Sequence, residues 1–303
     1  MNKVAPHLLH HSISKKKQFF MKLLSIILWF TIWSAAAKII DRELFLPGPI
    51  LVFTSLLKLA STESYWLSIF NSMVNILTGY AIAILLGTIL AAISYRFRAI
   101  MEFIYLPLRI IRTIPVASFI ILALLWVSSD KLSMLISFLM VLPIIYEYTL
   151  NGLSSIDCGL LEMAYLSRMP ITKKLLRIYL PGLLSHLTAA LSTGIGLAWK
   201  SGVAAEVIGI SRNSIGNHLN QSKIYLETPE LFAWTITIII ISMLFEIVLK
   251  KLLGRPNKSL AYLSAHQKMR YQIYEHIIKN RQSVQKIQRY TSHRQFFHGV
   301  TYS

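Results

Sequence analysis

Residues 70–94 read FNSMVNILTGYAIAILLGTILAAIS, a block without a single Asp, Glu, Lys or Arg. A membrane-spanning helix needs about 20 consecutive, mostly apolar residues. A strand of an outer-membrane barrel would instead alternate between polar and apolar side chains, and this block does not. The block therefore predicts one transmembrane helix.

Five similar blocks lie on either side of it. Together they predict six transmembrane helices, at residues 19–40, 70–94, 104–127, 132–150, 183–205 and 231–253. The composition agrees, because 54% of the 303 residues are hydrophobic and only 15% are charged, whereas soluble domains contain about 25% charged residues. The mean hydropathy is +0.55. The sequence predicts an all-α polytopic membrane protein and excludes an ordinary soluble domain.

The net charge of +18 could be mistaken for a sign of nucleic-acid binding. The basic residues, however, lie between and beyond the apolar blocks rather than along one face, so they indicate topology. With the N-terminus inside, 24 of the 31 Lys and Arg fall on inner segments and 7 on the outer side or at span ends. The positive-inside rule then predicts that both termini are cytoplasmic.

The first apolar block allows two interpretations. Three lysines precede it and residues 35–37 are all alanine, as in a cleaved signal peptide. The apolar run is long for a signal peptide and further spans follow, so we favour an uncleaved anchor.

Two segments outside the spans carry information. Residues 151–182, NGLSSIDCGLLEMAYLSRMPITKKLLRIYLPG, have apolar residues on both sides of Pro170. Because the residue before a proline avoids the helical region, this loop predicts a helix, a turn and a second helix that enters the fifth span near Pro181. A solvated connector has no need of so many apolar residues, so we favour a docking surface. The second segment is the basic tail, residues 257–303. It is either an amphipathic helix on anionic lipid or a disordered tail.

The sequence gives no sign of an enzyme. It contains no GxxxxGK[ST] phosphate loop, no HExxH and no CxxC, and its one cysteine is Cys158. We expect no catalytic residue, no metal site and no cofactor on this chain.

Two ionisable residues, Lys200 and Glu206, lie at or near the outer part of the predicted fifth span. Ionisable groups at such a depth usually face a protein interior or a water-filled cavity. Three interpretations stay open: an ion pair between them, a Lys200 that faces a pathway for an anionic solute, or a span that ends before both and leaves them solvated.

The string EMAYLSRMPITKKLLRIYLP, residues 162–181, resembles the conserved cytoplasmic loop of permease subunits of binding-protein-dependent ABC importers. Glu162, Ala164, Leu180 and Pro181 match at the spacing of that family. Met163 replaces its first alanine, and Arg168 stands where the family usually has glycine.

Other segments resemble the nitrate, sulfonate and taurine subgroup of these permeases. They are FLPGPILVFTSL, RTIPVASFIILALLW, AWKSGVAAEVIG and YLETPELFAWT. The resemblance covers residues 44–252 in order.

The resemblance implies a MetI-like permease fold in the bacterial cytoplasmic membrane. It also implies an ATP-binding partner subunit, an extracytoplasmic solute-binding protein and a second permease copy, as a homodimer. ATP would be used by the partner. The loop would be the coupling helix, with contacts from Glu162, Ala164, Arg168, Leu180 and Pro181. The candidate pathway residues are Lys200 and Glu206, on the evidence of their place at the fifth span.

The predicted organisation has four parts. They are a cytoplasmic segment at 1–18, a first transmembrane helix at 19–43, an importer domain at 44–253 that contains the loop 151–182, and a basic tail at 254–303.

The expected solute is a small anion such as a sulfonate, taurine or nitrate, and the expected contacts include membrane lipid but no nucleic acid. The alternatives are a permease for another small metabolite, such as a vitamin precursor, and a stand-alone secondary carrier.

Overall fold

A computed structural model describes residues 15–253, and within that range all regular elements are helices. In chain order these are α1 (Lys15–Ile40), α2 (Pro49–Ala60), α3 (Glu63–Arg96), α4 (Arg98–Thr113), α5 (Val116–Ala123), α6 (Ser129–Ser154), α7 (Cys158–Leu166), α8 (Ile171–Lys174), α9 (Leu180–Gly209), α10 (Ile215–Ile224) and α11 (Thr228–Leu253). A π-helical turn, Leu175–Tyr179, joins α8 to α9. The predicted tail at 254–303 and most of the segment 1–18 lie outside the described residues.

The membrane-spanning character of the fold is confirmed. Among the described helices, five are long and apolar enough to cross a membrane: Leu23–Ile40, Glu63–Arg96, Ser129–Ser154, Ile171–Gly209 and Thr228–Lys251. A bent pair, α4 with α5, makes a sixth span if it is counted as one. The chain is therefore an all-α polytopic membrane protein with up to six spans in its described part.

The third predicted span needs a correction. The apolar block 104–127 predicts one continuous helix, whereas the structure breaks it into α4 and α5, which meet at an angle of 104°. The break falls at Ile114 and Pro115. Pro115 has no N–H to continue the helix and forces Ile114 into an extended conformation, with φ −70° and ψ 132°.

The core of the molecule is built from α3, α6 and α9. Gly79 of α3 lies so close to α6 that a Cβ there would come within 2.1 Å of the Met134 carbonyl oxygen. Gly202 of α9 leaves no room either, since a Cβ would lie 2.6 Å from Ser137. Small residues let membrane helices approach to this distance, where van der Waals packing holds them together. Gly79 and Gly202 thus serve helix packing.

The contacts also fix the direction of the helices. Gly79 and Gly87 of α3 face Met134 and Ile145 of α6 in the same order, so these helices are parallel. Along α9 the order is reversed, because Gly202 faces Ser137 and Gly194 faces Val141. We call the end of the bundle with the segment between α6 and α9 the loop end, and the end with the α9–α10 turn the turn end.

Candidate functional site

The loop between α6 and α9 forms the first part of the candidate site. Its helix α7 begins after Asp157, whose Oδ1 accepts a hydrogen bond from the Gly159 backbone N–H at 2.8 Å. This is a standard N-cap, and it fixes where the helix starts. Glu162 is exposed on α7, whereas Ala164 is buried against the bundle. The predicted order of helix, turn and second helix is confirmed.

Helix α7 ends in a Schellman motif centred on Arg168. The Met169 N–H donates to the Ala164 carbonyl oxygen and the Arg168 N–H to that of Tyr165, both at 3.0 Å. Such a motif puts its C′ residue in the left-handed region, and Arg168 has φ 48°. Glycine is favoured there because it has no Cβ to clash. At the position where the related loops usually have glycine, this chain therefore holds an arginine in a backbone conformation that favours glycine.

The loop carries an apolar surface. Its large side chains are exposed, and we call the following set the loop surface: Met163, Tyr165, Leu166, Ile171 and Leu176, at 64–81% exposure. Basic residues lie beside it in the sequence, namely Arg168, Lys173 and Arg177. Large apolar patches rimmed by polar residues mark interaction sites. Since α7 is too short to be a span and α8 is the loop end of the long helix that continues as α9, we infer that a protein or the membrane interface covers this surface.

The second helix of the loop enters the fifth span through the π-helical turn. The Leu180 N–H bonds to the Leu175 carbonyl, five residues back rather than four. Pro181 follows at once; it has no N–H, and its ring crowds the preceding turn, which accounts for the local widening. Leu180 and Pro181 thus lie where the loop meets the membrane helix.

Lys200 lies on the side of α9 that points away from the core. We call this side the open face of α9; it comprises Ser185, Ala189, Thr193, Gly196 and Lys200. Apart from Gly196, which is half-buried, these residues are exposed, and a Cβ at Gly196 would meet nothing within 4 Å. The open face is small and polar, with one positive charge.

Glu206 lies in the last turns of α9 and is fully buried. Its Oε2 accepts hydrogen bonds from the Ser72 hydroxyl at 2.7 Å and from the Gly216 N–H at 3.3 Å. Ser72 in turn accepts from the Ile215 N–H at 3.0 Å. The other carboxyl oxygen of Glu206, Oε1, has no hydrogen-bond partner among residues 15–253.

The structure therefore shows neither an ion pair between Lys200 and Glu206 nor a solvated Glu206. Instead, the carboxyl group ties the start of α10 to α3 and α9. In the single chain it does not reach the open face.

A second polar cluster at the turn end was not foreseen from the sequence. His218 of α10 stacks on Trp234 with ring centroids 4.7 Å apart, and its Nε2 lies 2.9 Å from the Ser68 hydroxyl. Burial lowers the pKa of His218. The available signal was the pair Ser68 and Ser72, one helical turn apart at the start of the apolar block 70–94.

These features define a class of protein. The chain is a polytopic helical membrane protein with an exposed apolar loop surface at one end of the bundle and an open, polar face along one span. No group of three metal-ligating side chains occurs within the part of the chain that the structure describes.

Comparison with known proteins identifies the family. Residues 83–255 match the binding-protein-dependent transport system inner membrane component family. The chain belongs to this family, which comprises the membrane permeases of ABC importers.

Two relatives illustrate the similarity. SsuC of Bacillus subtilis (strain 168), an aliphatic sulfonates transport permease, is 26% identical over 59% of this chain and 64% of its own length. TauC of Escherichia coli (strain K12), a taurine transport system permease, is 25% identical over 79% of this chain and 89% of its own. The crystal structure of a bacterial ABC transporter that imports alginate superposes with a TM-score of 0.52 at 17% identity, over 79% of this chain and 96% of that one. This last likeness shows the fold alone.

Proposed function

We propose that this chain forms the solute pathway of an ATP-driven importer for a small anion such as a sulfonate, taurine or nitrate. ATP is hydrolysed on a separate subunit that docks on the loop surface. A second copy of this chain completes the pathway, and a solute-binding protein delivers the solute at the turn end. The names of SsuC and TauC support the choice of solute.

The loop surface is the observation that carries the proposal. Large apolar side chains at 64–81% exposure on a short helix pair are costly in water, and an ATP-binding subunit seated there removes them from solvent. In this arrangement Glu162 is exposed toward the partner and accepts a basic or backbone donor. Ala164 and Arg168 hold the end of α7, and Leu180 and Pro181 transmit its movement to α9.

Lys200 gives the pathway its proposed preference for anions. A lysine on a membrane helix is costly against lipid, so the open face of α9 borders water or protein. Its neighbours are small, which leaves space for a solute beside the charge. Glu206 takes part indirectly, because it anchors the turn that joins α9 to α10.

Affinity purification of the tagged full-length chain in mild detergent tests the proposal. We expect an ATP-binding subunit to copurify in about equal amount. Glu162→Lys and the double substitution Tyr165→Ala with Leu166→Ala should each reduce that amount several-fold. The matched control is Ile39→Ala, which removes an equally exposed aliphatic side chain, 83% exposed, at the far end of α1. A chain that is stable and alone in several detergents would favour the stand-alone carrier instead.

A further inference from the structure

An ion pair between α4 and α6 lies near the loop end of the bundle. Arg112, in the last turn of α4, contacts Glu147 of α6 through a guanidinium nitrogen and Oε2. Glu147 precedes the end of α6, Ser154, by seven residues, which places it about 10 Å inside the loop end at the helical rise of 1.5 Å per residue. Glu147 also lies inside the predicted span 132–150, where ionisable groups usually face a protein interior or a water-filled cavity.

The pair is open on one side. The Arg112 and Glu147 side chains are 51% and 48% exposed, so the surrounding helices cover only half of each. Exposed polar residues surround them, and we call the following set the arginine patch: Arg109, Arg112, Thr113, Glu147 and Asn151. Charged groups are too costly to face lipid tails, so the patch faces water, protein or polar headgroups.

The arginine patch has spare hydrogen-bond donors. It holds two positive charges and one negative charge. One nitrogen of Arg112 contacts Glu147, and the Arg109 guanidinium lies over the Tyr105 ring, 6.0 Å from its centroid, without a carboxylate partner in the described chain. A guanidinium offers five N–H donors in a planar fork that fits the oxygens of a sulfonate, carboxylate or phosphate.

Along the bundle axis, the arginine patch lies between Lys200 and the loop end. Gly202 faces Ser137 and Gly194 faces Val141, so Lys200 lies level with about residue 138 of α6. Glu147 is then nine or so residues farther along the bundle, roughly 13 Å closer to the loop end.

We propose that Arg109 and Arg112 bind the oxyanion group of the transported solute, with Glu147 as the counter-ion that occupies Arg112 when no solute is present. An anion that has left Lys200 displaces Glu147 from Arg112, and it is released toward the loop end when Glu147 pairs again. This inference rests on the proposed anion pathway and adds a binding site to it.

Modification of an introduced thiol tests the proposal without any partner subunit. The full-length chain carries Cys158→Ser, which removes its one cysteine, and Asn151→Cys, which places a thiol one helical turn from Glu147. It is reconstituted in phosphatidylcholine nanodiscs. The rates of reaction with anionic 2-sulfonatoethyl and cationic 2-(trimethylammonio)ethyl methanethiosulfonate are compared, each relative to a free thiol.

We expect the anionic reagent to react about fivefold faster, as a net positive charge a few ångströms away implies. Ethanesulfonate should slow this reaction. Arg112→Gln should abolish both the preference and the protection. Where that variant does not fold, Arg112→Lys retains the charge but lacks the fork, and it should keep the preference while it loses most of the protection.

The counter-ion role of Glu147 has a matched control in α11. Glu147→Gln frees Arg112, so the ethanesulfonate concentration that gives half-protection should fall several-fold. Glu246→Gln breaks the ion pair with Lys250 and should leave that concentration unchanged.

Three results would overturn the inference: a thiol unreactive to both reagents, equal rates for the two, or a preference that phosphatidylglycerol abolishes while ethanesulfonate has no effect. The last would assign the patch to a lipid headgroup. A chain that copurifies with an ATP-binding subunit yet gives one of these results keeps the proposed function and loses this site. A chain without that subunit loses the proposed function, whatever the thiol shows.

Discussion

Arg168 holds a backbone conformation that favours glycine. A non-glycine residue in the left-handed region costs about 1–2 kcal/mol, and Arg168 has φ 48° at the C′ position of α7. We expect Arg168→Gly to raise the thermal unfolding midpoint of the purified chain by a few degrees. Arg168→Ala, which keeps the strain and removes the charge, should not raise it. If both variants behave alike, the backbone at this position does not limit stability.

Lys200 is expected to act on transport more than on folding. It is exposed and makes no hydrogen bond or ion pair within residues 15–253. Lys200→Met should therefore reduce uptake of a sulfonate at least tenfold at low concentration while the yield of assembled complex stays within a factor of two. Lys200→Arg, which keeps the charge, should retain most of the uptake. A parallel loss of uptake and assembly in Lys200→Met would show a structural role.

Glu206 and Ser72 are expected to stabilise the turn end. Loss of one partner of a buried hydrogen bond costs about 1–3 kcal/mol, and Ser72→Ala removes both the donor to Glu206 and the acceptor for the Ile215 N–H. We expect it to lower the unfolding midpoint clearly. Glu206→Gln keeps an acceptor oxygen and should lower it less than Glu206→Ala. Equal effects of the two Glu206 variants would contradict this reading of the network.

At the scale of the element, the closest approach in the core is between α3 and α6. Gly79→Ala would place a Cβ 2.1 Å from the Met134 carbonyl oxygen, so the helices must separate. Such overpacking costs about 1–3 kcal/mol. Gly196→Ala is the matched control, because its Cβ meets nothing within 4 Å and alanine is the better helix former. We expect Gly79→Ala to reduce the amount of folded protein in detergent, and Gly196→Ala to leave it unchanged or raise it.

The third span shows why helix existence was easier to predict than helix shape. The apolar block was correctly assigned to the membrane by its length. The break itself follows from Pro115, which the block contains, whereas the angle of 104° between the two helices depends on how α5 packs against α9 and α6. The short helices α2 and α10 escaped prediction for a related reason, since they are fixed mainly by packing against longer helices.

At the scale of the whole molecule, the orientation in the membrane can be tested with the native Cys158. This cysteine is exposed at the loop end, and it is the only one in the chain. If the positive-inside rule holds, a membrane-impermeant maleimide should leave it unlabelled in intact cells and label it in inverted vesicles. The Cys158→Ser chain controls for background. Labelling in intact cells would place the loop end outside and contradict the cytoplasmic docking of an ATP-binding subunit.

The loop between α6 and α9 was predictable in outline. Pro170 and the apolar residues on either side of it indicated two helices, and the structure has α7 and α8 there. The left-handed conformation of Arg168 and the π-helical turn before Pro181 were not predicted, because they arise from hydrogen bonds between residues whose pairing depends on the three-dimensional path of the chain.

The sequence by itself determined that this chain is a helical membrane protein, which of its segments cross the bilayer, and which family it resembles. Long apolar blocks suffice for the first two, because a bilayer leaves no water to satisfy backbone groups and so forces those blocks into helices. The resemblance depends instead on the motif at residues 162–181 and the other matched segments. Only the tertiary structure decided that Lys200 and Glu206 form no ion pair with each other, and that Arg112 forms one with Glu147. Both depend on which face of each helix is turned inward, and that is set by the close packing of α3, α6 and α9 around their glycines.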